Sequence, residues 1–115
     1  MLKSMAPRTV CLFVEEPALK EQLARFFADQ GWLADATGPN DLVVYDGPEG
    51  LQVLRWLRER GNKTPALLIR RDGMRVGRVS RTLAISAPFS ADVLRDACGA
   101  LLRRAIPHVP KRRAS

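Results

Sequence analysis

The 115-residue chain is 46% hydrophobic and 27% charged, with two cysteines, one histidine and a formal net charge of +7. These values describe an ordinary folded domain and exclude a disordered chain, and the length allows one hydrophobic core rather than two. No apolar run approaches the roughly 18 residues of a membrane span, and the first one meets Glu15 and Glu16 too soon for a signal peptide, so a cytoplasmic location is expected.

The charge is unevenly spread. Residues 1–50 hold four Lys/Arg against eight Asp/Glu, and residues 51–115 hold fifteen against four. An acidic face and a separate basic face are expected, the basic one suited to an anionic partner. Cys11 and Cys98 lie in apolar runs without a Cys-x-x-Cys spacing, and read as small buried hydrophobes. The only histidine, His108, sits in the tail, so no metal site is expected.

In chain order, "TVCLFV" (9–14) is a continuous apolar run that fits a strand buried on both faces. Pro17 suits the first turn of a helix, and Leu19, Leu23, Phe26 and Phe27 share one helical face up to the stop at Gly31. "WLADAT" (32–37) is a weak strand, and "DLVVYD" (41–46) is a second buried strand ending in Asp46. Gly47, Pro48 and Gly50 read as a short loop before a helix at 50–60 that turns Leu51, Leu54 and Leu57 inward. "PALLI" (65–69) and "TLAIS" (82–86) are two further strands, and a last helix runs over 91–105 behind Ser90 as N-cap. Trp32 and Trp56 are assigned to packing, and Tyr45 to the core or its edge. Such alternation predicts an α/β fold, an open parallel sheet covered by helices on both faces, with its site at the carboxyl ends of the strands.

These pieces resemble a response-regulator receiver (CheY-like) domain, a flavodoxin-like module of two-component signalling. The resemblance covers residues 8–105 and rests on five pieces in order. They are Glu15 and Glu16 after the first strand, "DLVVYD" ending at Asp46, "GLQVLRWLR", "TPALLI" and "APFSADVLRDA". It implies that Asp46 stands at the phosphoacceptor position and Glu15 and Glu16 where an acidic pair would hold Mg²⁺. It also implies a hydroxyl at the position of Arg70 and a lysine at that of Ala87; this sequence has neither. The degenerate pocket is thus Glu15, Glu16, Asp46, Arg70 and Ala87, with no cofactor expected and Arg70 pairing with Asp46 as a permanent substitute for the signal. Only a few residues separate "WLADAT" from "DLVVYD", so the helix between the second and third strands is expected to be missing or shortened.

Between the third and fourth strong strands lies "RRDGMRVGRVSR", with Arg70, Arg71, Arg75, Arg78 and Arg81 against a single Asp72. The three-residue spacing of Arg75, Arg78 and Arg81 fits one face of a short helix, while Gly73 and Gly77 favour a loop with one turn. Three uses are open for this comb: a solvated edge, a protein-docking surface, or a site for cyclic di-GMP, whose guanine O6 and N7 suit a bidentate arginine. Residues 106–115 read as a basic tail or linker. No helix-turn-helix or zinc pattern supports sequence-specific nucleic-acid binding. The expectation is a non-catalytic, phosphorylation-independent signalling module that binds a protein partner. Cyclic di-GMP binding and phosphorylation at Asp46 are the alternatives.

Overall fold

The computed structural model describes residues 7–34 and 38–105. Five strands, β1 (Thr9–Phe13), β2 (Leu33–Ala34), β3 (Leu42–Asp46), β4 (Ala66–Arg70) and β5 (Thr82–Ser86), form one parallel sheet in the order β2-β1-β3-β4-β5. Three helices accompany them: α1 (Pro17–Asp29), α2 (Gly47–Glu59) and α3 (Ala91–Ala105). The expected doubly covered parallel sheet is what forms, and the order reverses at β1, which opens a crevice between the carboxyl ends of β1 and β3.

Strand alternation divides the core in two. On one face Val10, Leu12, Leu42, Val44, Leu67 and Ile69 pack against Leu19, Leu23 and Phe27 of α1 and Leu94, Ala97, Cys98 and Leu101 of α3. On the other, Tyr45, Ala66 and Leu68 pack against Leu51 and Leu54 of α2. Trp32 joins the first cluster, with its ring 5.2 Å from that of Phe27. Ser90 caps α3 as expected, its hydroxyl accepting from the Val93 amide at 3.2 Å.

The short return from β2 to β3 has a geometric cause. β2 is only two residues long and pairs with Thr9 and Val10, the first residues of β1. A strand that climbs so little, about 3.3 Å per residue, leaves the chain near the level where Leu42 must join Val10, and no helix is needed to bring it back. The Asp41 carboxylate accepts from the Thr9 amide at 2.9 Å and the Asp41 amide donates to the Thr9 carbonyl at 3.0 Å, which pins the start of β3.

Two expectations are corrected here. Gly47, Pro48 and Gly50 are not a loop but the first turn of α2, in which proline supplies a preset φ and gives up an amide that has no helical partner. Gly50 is required by close approach, since a Cβ there would meet Tyr45 Cβ at 3.0 Å and its carbonyl carbon at 3.2 Å. Residues 71–81 form no helix either; after a turn at Asp72 and Gly73 the chain runs irregularly to β5. Gly73 and Gly77 hold φ of +76° and +71°, a left-handed backbone that breaks a right-handed helix, and the three-residue arginine spacing therefore describes no helical face. Residues 106–115 lie outside the described residues.

Candidate functional site

At the crevice, Glu15 and Glu16 follow β1, Asp46 ends β3, Arg71 follows β4 and Ala87 follows β5. The Arg71 guanidinium grips Asp46 with both arms, Nε to Oδ1 at 2.9 Å and Nη2 to Oδ2 at 2.7 Å. Its Nη2 also reaches Glu16 Oε1 at 3.3 Å. The Asp46 side chain is 13% exposed and that of Arg71 39%. A two-armed contact of this geometry is stronger than an ordinary neutral hydrogen bond. The hydrogen bonds to Asp46 push the Arg71 pKa above its ordinary value, so the guanidinium stays charged. Asp46 also stands at the N-cap of α2 but makes no side-chain capping bond, because its two oxygens are turned to Arg71.

The expected partner of Asp46 was Arg70, and the structure corrects this to Arg71. Asp46 lies in register with Ile69, whose side chain shares the α1/α3 face. The next residue on that face of β4 is two positions on, at 71. Arg70 projects on the opposite face and is exposed, next to Met74 and Ala84. The alternation alone carries this signal once the register is fixed.

Mg²⁺ does not fit this pocket as it stands. A divalent cation needs carboxylate oxygens free to ligate it, whereas a guanidinium lies between Glu16 and Asp46 and takes oxygens from both. Beside Arg71 is a cavity of about 220 Å³ lined by Leu19, Gln22, Ala87 and Phe89. The small Ala87 side chain leaves that space open, and no cationic side chain is among its lining residues besides Arg71.

The arginine comb divides into different roles. Arg71 is spent on the crevice. Arg70, Arg75, Arg78 and Arg81 are exposed, and among the described residues their side chains make no hydrogen bond or ion pair. Arg70 and Arg75 border a shallow basin of about 530 Å³ with Met74, Val76, Val79, Thr82 and Ala84. The loop is held from beneath by arginines of α2, which the helical pattern alone turns outward to solvent. Arg58 donates to the carbonyls of Ser80 at 3.0 Å and Arg81 at 3.2 Å, and Arg55 donates to that of Val76. Burial lowers the pKa of Arg58, the cost of seating it under the loop. Trp56 is also reassigned: it is 52% exposed, not core, and Arg60 stacks over its ring at 3.8 Å.

No family model and no curated protein matches the sequence. Solved structures do. A response regulator receiver protein from Sinorhizobium medicae WSM419 is 24% identical, with 87% of this chain and 98% of that one covered and a TM-score of 0.71. The signal receiver domain of a signal transduction histidine kinase from Syntrophus aciditrophicus is 17% identical over 94% and 99% of the two chains, with a TM-score of 0.75. The signal receiver domain of a putative Luxo repressor protein from Vibrio parahaemolyticus is 16% identical over 87% and 93%, with a TM-score of 0.70.

This chain has the fold of a receiver domain.

Within that receiver fold, the crevice holding Glu16, Asp46 and Arg71 sits at the topological switch point, where sheets of this class place their sites. Its three charged groups already satisfy one another. No helix of the described residues is long and apolar enough to cross a membrane.

Proposed function

We propose that the protein is a non-catalytic, receiver-like signalling module that acts by binding a protein partner, independently of phosphorylation. The two-armed Arg71–Asp46 contact carries this reading. A phosphoryl group on Asp46 needs a free carboxylate oxygen as nucleophile, a metal to neutralise charge and a cation to hold the product. Arg71 engages both oxygens, competes with the metal, and holds the carboxylate in a single arrangement that a signal would otherwise induce. The partner surface spans residues 70–90, where four arginines make no hydrogen bond or ion pair among the described residues and anchor residues of this type are enriched in binding hot spots.

The test is intact-mass spectrometry after incubation with a small-molecule phosphodonor and Mg²⁺. The unmodified mass is expected, and stoichiometric phosphorylation that disappears in Asp46→Asn would sink the reading.

The basin supports a second reading, binding of cyclic di-GMP. Arg70 and Arg75 face a volume of about 530 Å³ floored by Met74, Val76 and Val79. That size and mixture suit a small ligand, with the guanidinium groups reading guanine edges or stacking on the bases. An amide NMR titration with cyclic di-GMP at physiological salt separates the two. Saturable shifts confined to residues 70–84 favour the nucleotide, and unchanged spectra at millimolar ligand leave the comb to a protein.

A further inference from the structure

α2 uses one face for the sheet and one flank for the loop. Leu51 and Leu54 are buried, while Arg55 and Arg58 tether residues 76–81. The other flank carries Glu49, Val53, Trp56 and Arg60, spaced i, i+4, i+7 and i+11, which is one continuous row on a helix. Glu49, Trp56 and Arg60 are exposed and Val53 is half-buried.

The adjoining sheet surface is open, because no helix packs there among the described residues. Phe13 is 44% exposed and Leu33 54%. Leu33 pairs with Thr9 and so shares the face of Cys11 and Phe13. A groove of about 330 Å³ runs between this surface and α2, lined by Phe13, Val43, Val53 and Leu57 among others. Of the four exposed large hydrophobic residues among those described, Phe13 lines this groove, and Trp56 stands on α2 next in the row to Val53, which also lines it; an exposed apolar patch of this kind marks an interaction surface.

We propose that this surface joins two copies of the chain, with α2 packed antiparallel against α2 of the second copy. The row is self-complementary under a two-fold axis. Positions 49 and 60 share a midpoint with positions 53 and 56. One axis through that midpoint therefore sets Glu49 against Arg60 twice and Val53 against Trp56 twice. The ion pairs stand about 16 Å apart, eleven residues at about 1.5 Å each, and enclose the apolar centre. The antiparallel helix dipoles add a favourable term, and an isologous contact closes on itself as a dimer. A helix of a different protein needs no such symmetry. The charge of +7 on each copy opposes association, so the dimer is weak and depends on its ion pairs. This interface is separate from the arginine comb and from the Arg71 crevice.

Sedimentation equilibrium of the 115-residue protein over rising concentration tests this, with circular dichroism confirming the fold of each variant. A reversible monomer–dimer equilibrium is expected. Arg60→Glu and Glu49→Arg are each expected to weaken it about tenfold by setting like charges face to face, and the double variant to restore it. A wild-type chain still monomeric at millimolar concentration overturns the proposal. So does a dimer indifferent to both single reversals, or a folded double variant that stays dissociated.

Discussion

Arg71 decides what the crevice can do. Its side chain satisfies Asp46 with two bonds and Glu16 with one, so removing it leaves two carboxylates facing each other without a counter-charge. Arg71→Ala is expected to cost about 1–2 kcal/mol in urea unfolding, toward the low end because the guanidinium is partly solvated. The pKa of Arg71 is raised in the fold, so its contribution is complete up to the strongly alkaline pH at which a free arginine titrates and fades only above it; no loss across neutral pH comes from this group. Cys98 behaves differently. Burial pushes its thiol from 9.0 up to about 12, so between those values the unfolded chain gives up a proton that the folded chain keeps. Stability therefore falls as pH rises through that window, by roughly 3–4 kcal/mol at its upper end. Cys98→Ala should flatten this part of the pH–stability curve measured by chemical denaturation. An equal alkaline loss in wild type and variant would show that Cys98 contributes none of it. The pocket was legible in the sequence as a set of residue types, since Glu16 follows, and Asp46 ends, strands that apolar runs define. The identity of the arginine was not, because Arg70 and Arg71 differ only by which side of a strand they leave, and that parity depends on the β3–β4 register.

The irregular segment 71–81 is anchored chiefly from outside itself. Met74, Val76 and Val79 are only half-buried, whereas Arg58 binds the carbonyls of Ser80 and Arg81, the Asn62 side chain at 3.0 Å and the Thr82 hydroxyl at 3.4 Å. Arg58→Met keeps much of the buried stem and removes these donors. It should cost about 2 kcal/mol and speed amide exchange at residues 80–82, with the amides of β1 and β3 unaffected locally. Gly50→Ala tests the approach of α2 to β3. A Cβ at 3.0 Å from Tyr45 Cβ and 3.2 Å from its backbone carbon forces a shift of helix or strand, and a loss of about 1–3 kcal/mol is expected by thermal unfolding. Wild-type stability in that variant would mean that α2 rides farther from the strand. The strongly apolar elements were readable because a buried parallel strand has a plain signature, as in "ALLI" of β4. The segment 71–81 was ambiguous for a physical reason: arginine spacing carries no packing information unless apolar residues repeat with it. Its backbone path follows from Gly73, Gly77 and contacts with α2, which are remote in sequence. Trp56 was misplaced similarly, since the helical wheel sets it beyond Val53, away from the sheet, where it is 52% exposed.

Across the whole molecule, the first half of the chain supplies the acidic mouth of the crevice and the second half the basic loop. Arg71 is the point where the two halves meet, crossing from the basic segment to close the acidic pocket. The remaining arginines are left facing outward, so binding to an acidic partner should weaken with added salt. Arg75→Glu with Arg78→Glu should abolish such binding while Asp46→Asn leaves it intact. The order of strands and helices was legible as a receiver-like sheet, with no helix between β2 and β3 among the described residues, because chain length between strands limits what a crossover can contain. Which signal the fold answers is decided by side chains around Asp46. The sharpest measurement is an amide NMR titration of wild type and Arg71→Ala with Mg²⁺ and beryllium fluoride, a mimic of an aspartyl phosphate. The Arg71 closure predicts no saturable shifts at residues 15–16, 46 and 86–89 of the wild type, and metal-dependent shifts there once Arg71 is removed. Saturable shifts in the wild type, spreading from Asp46 to β5, would contradict it and make Asp46 a working phosphoacceptor.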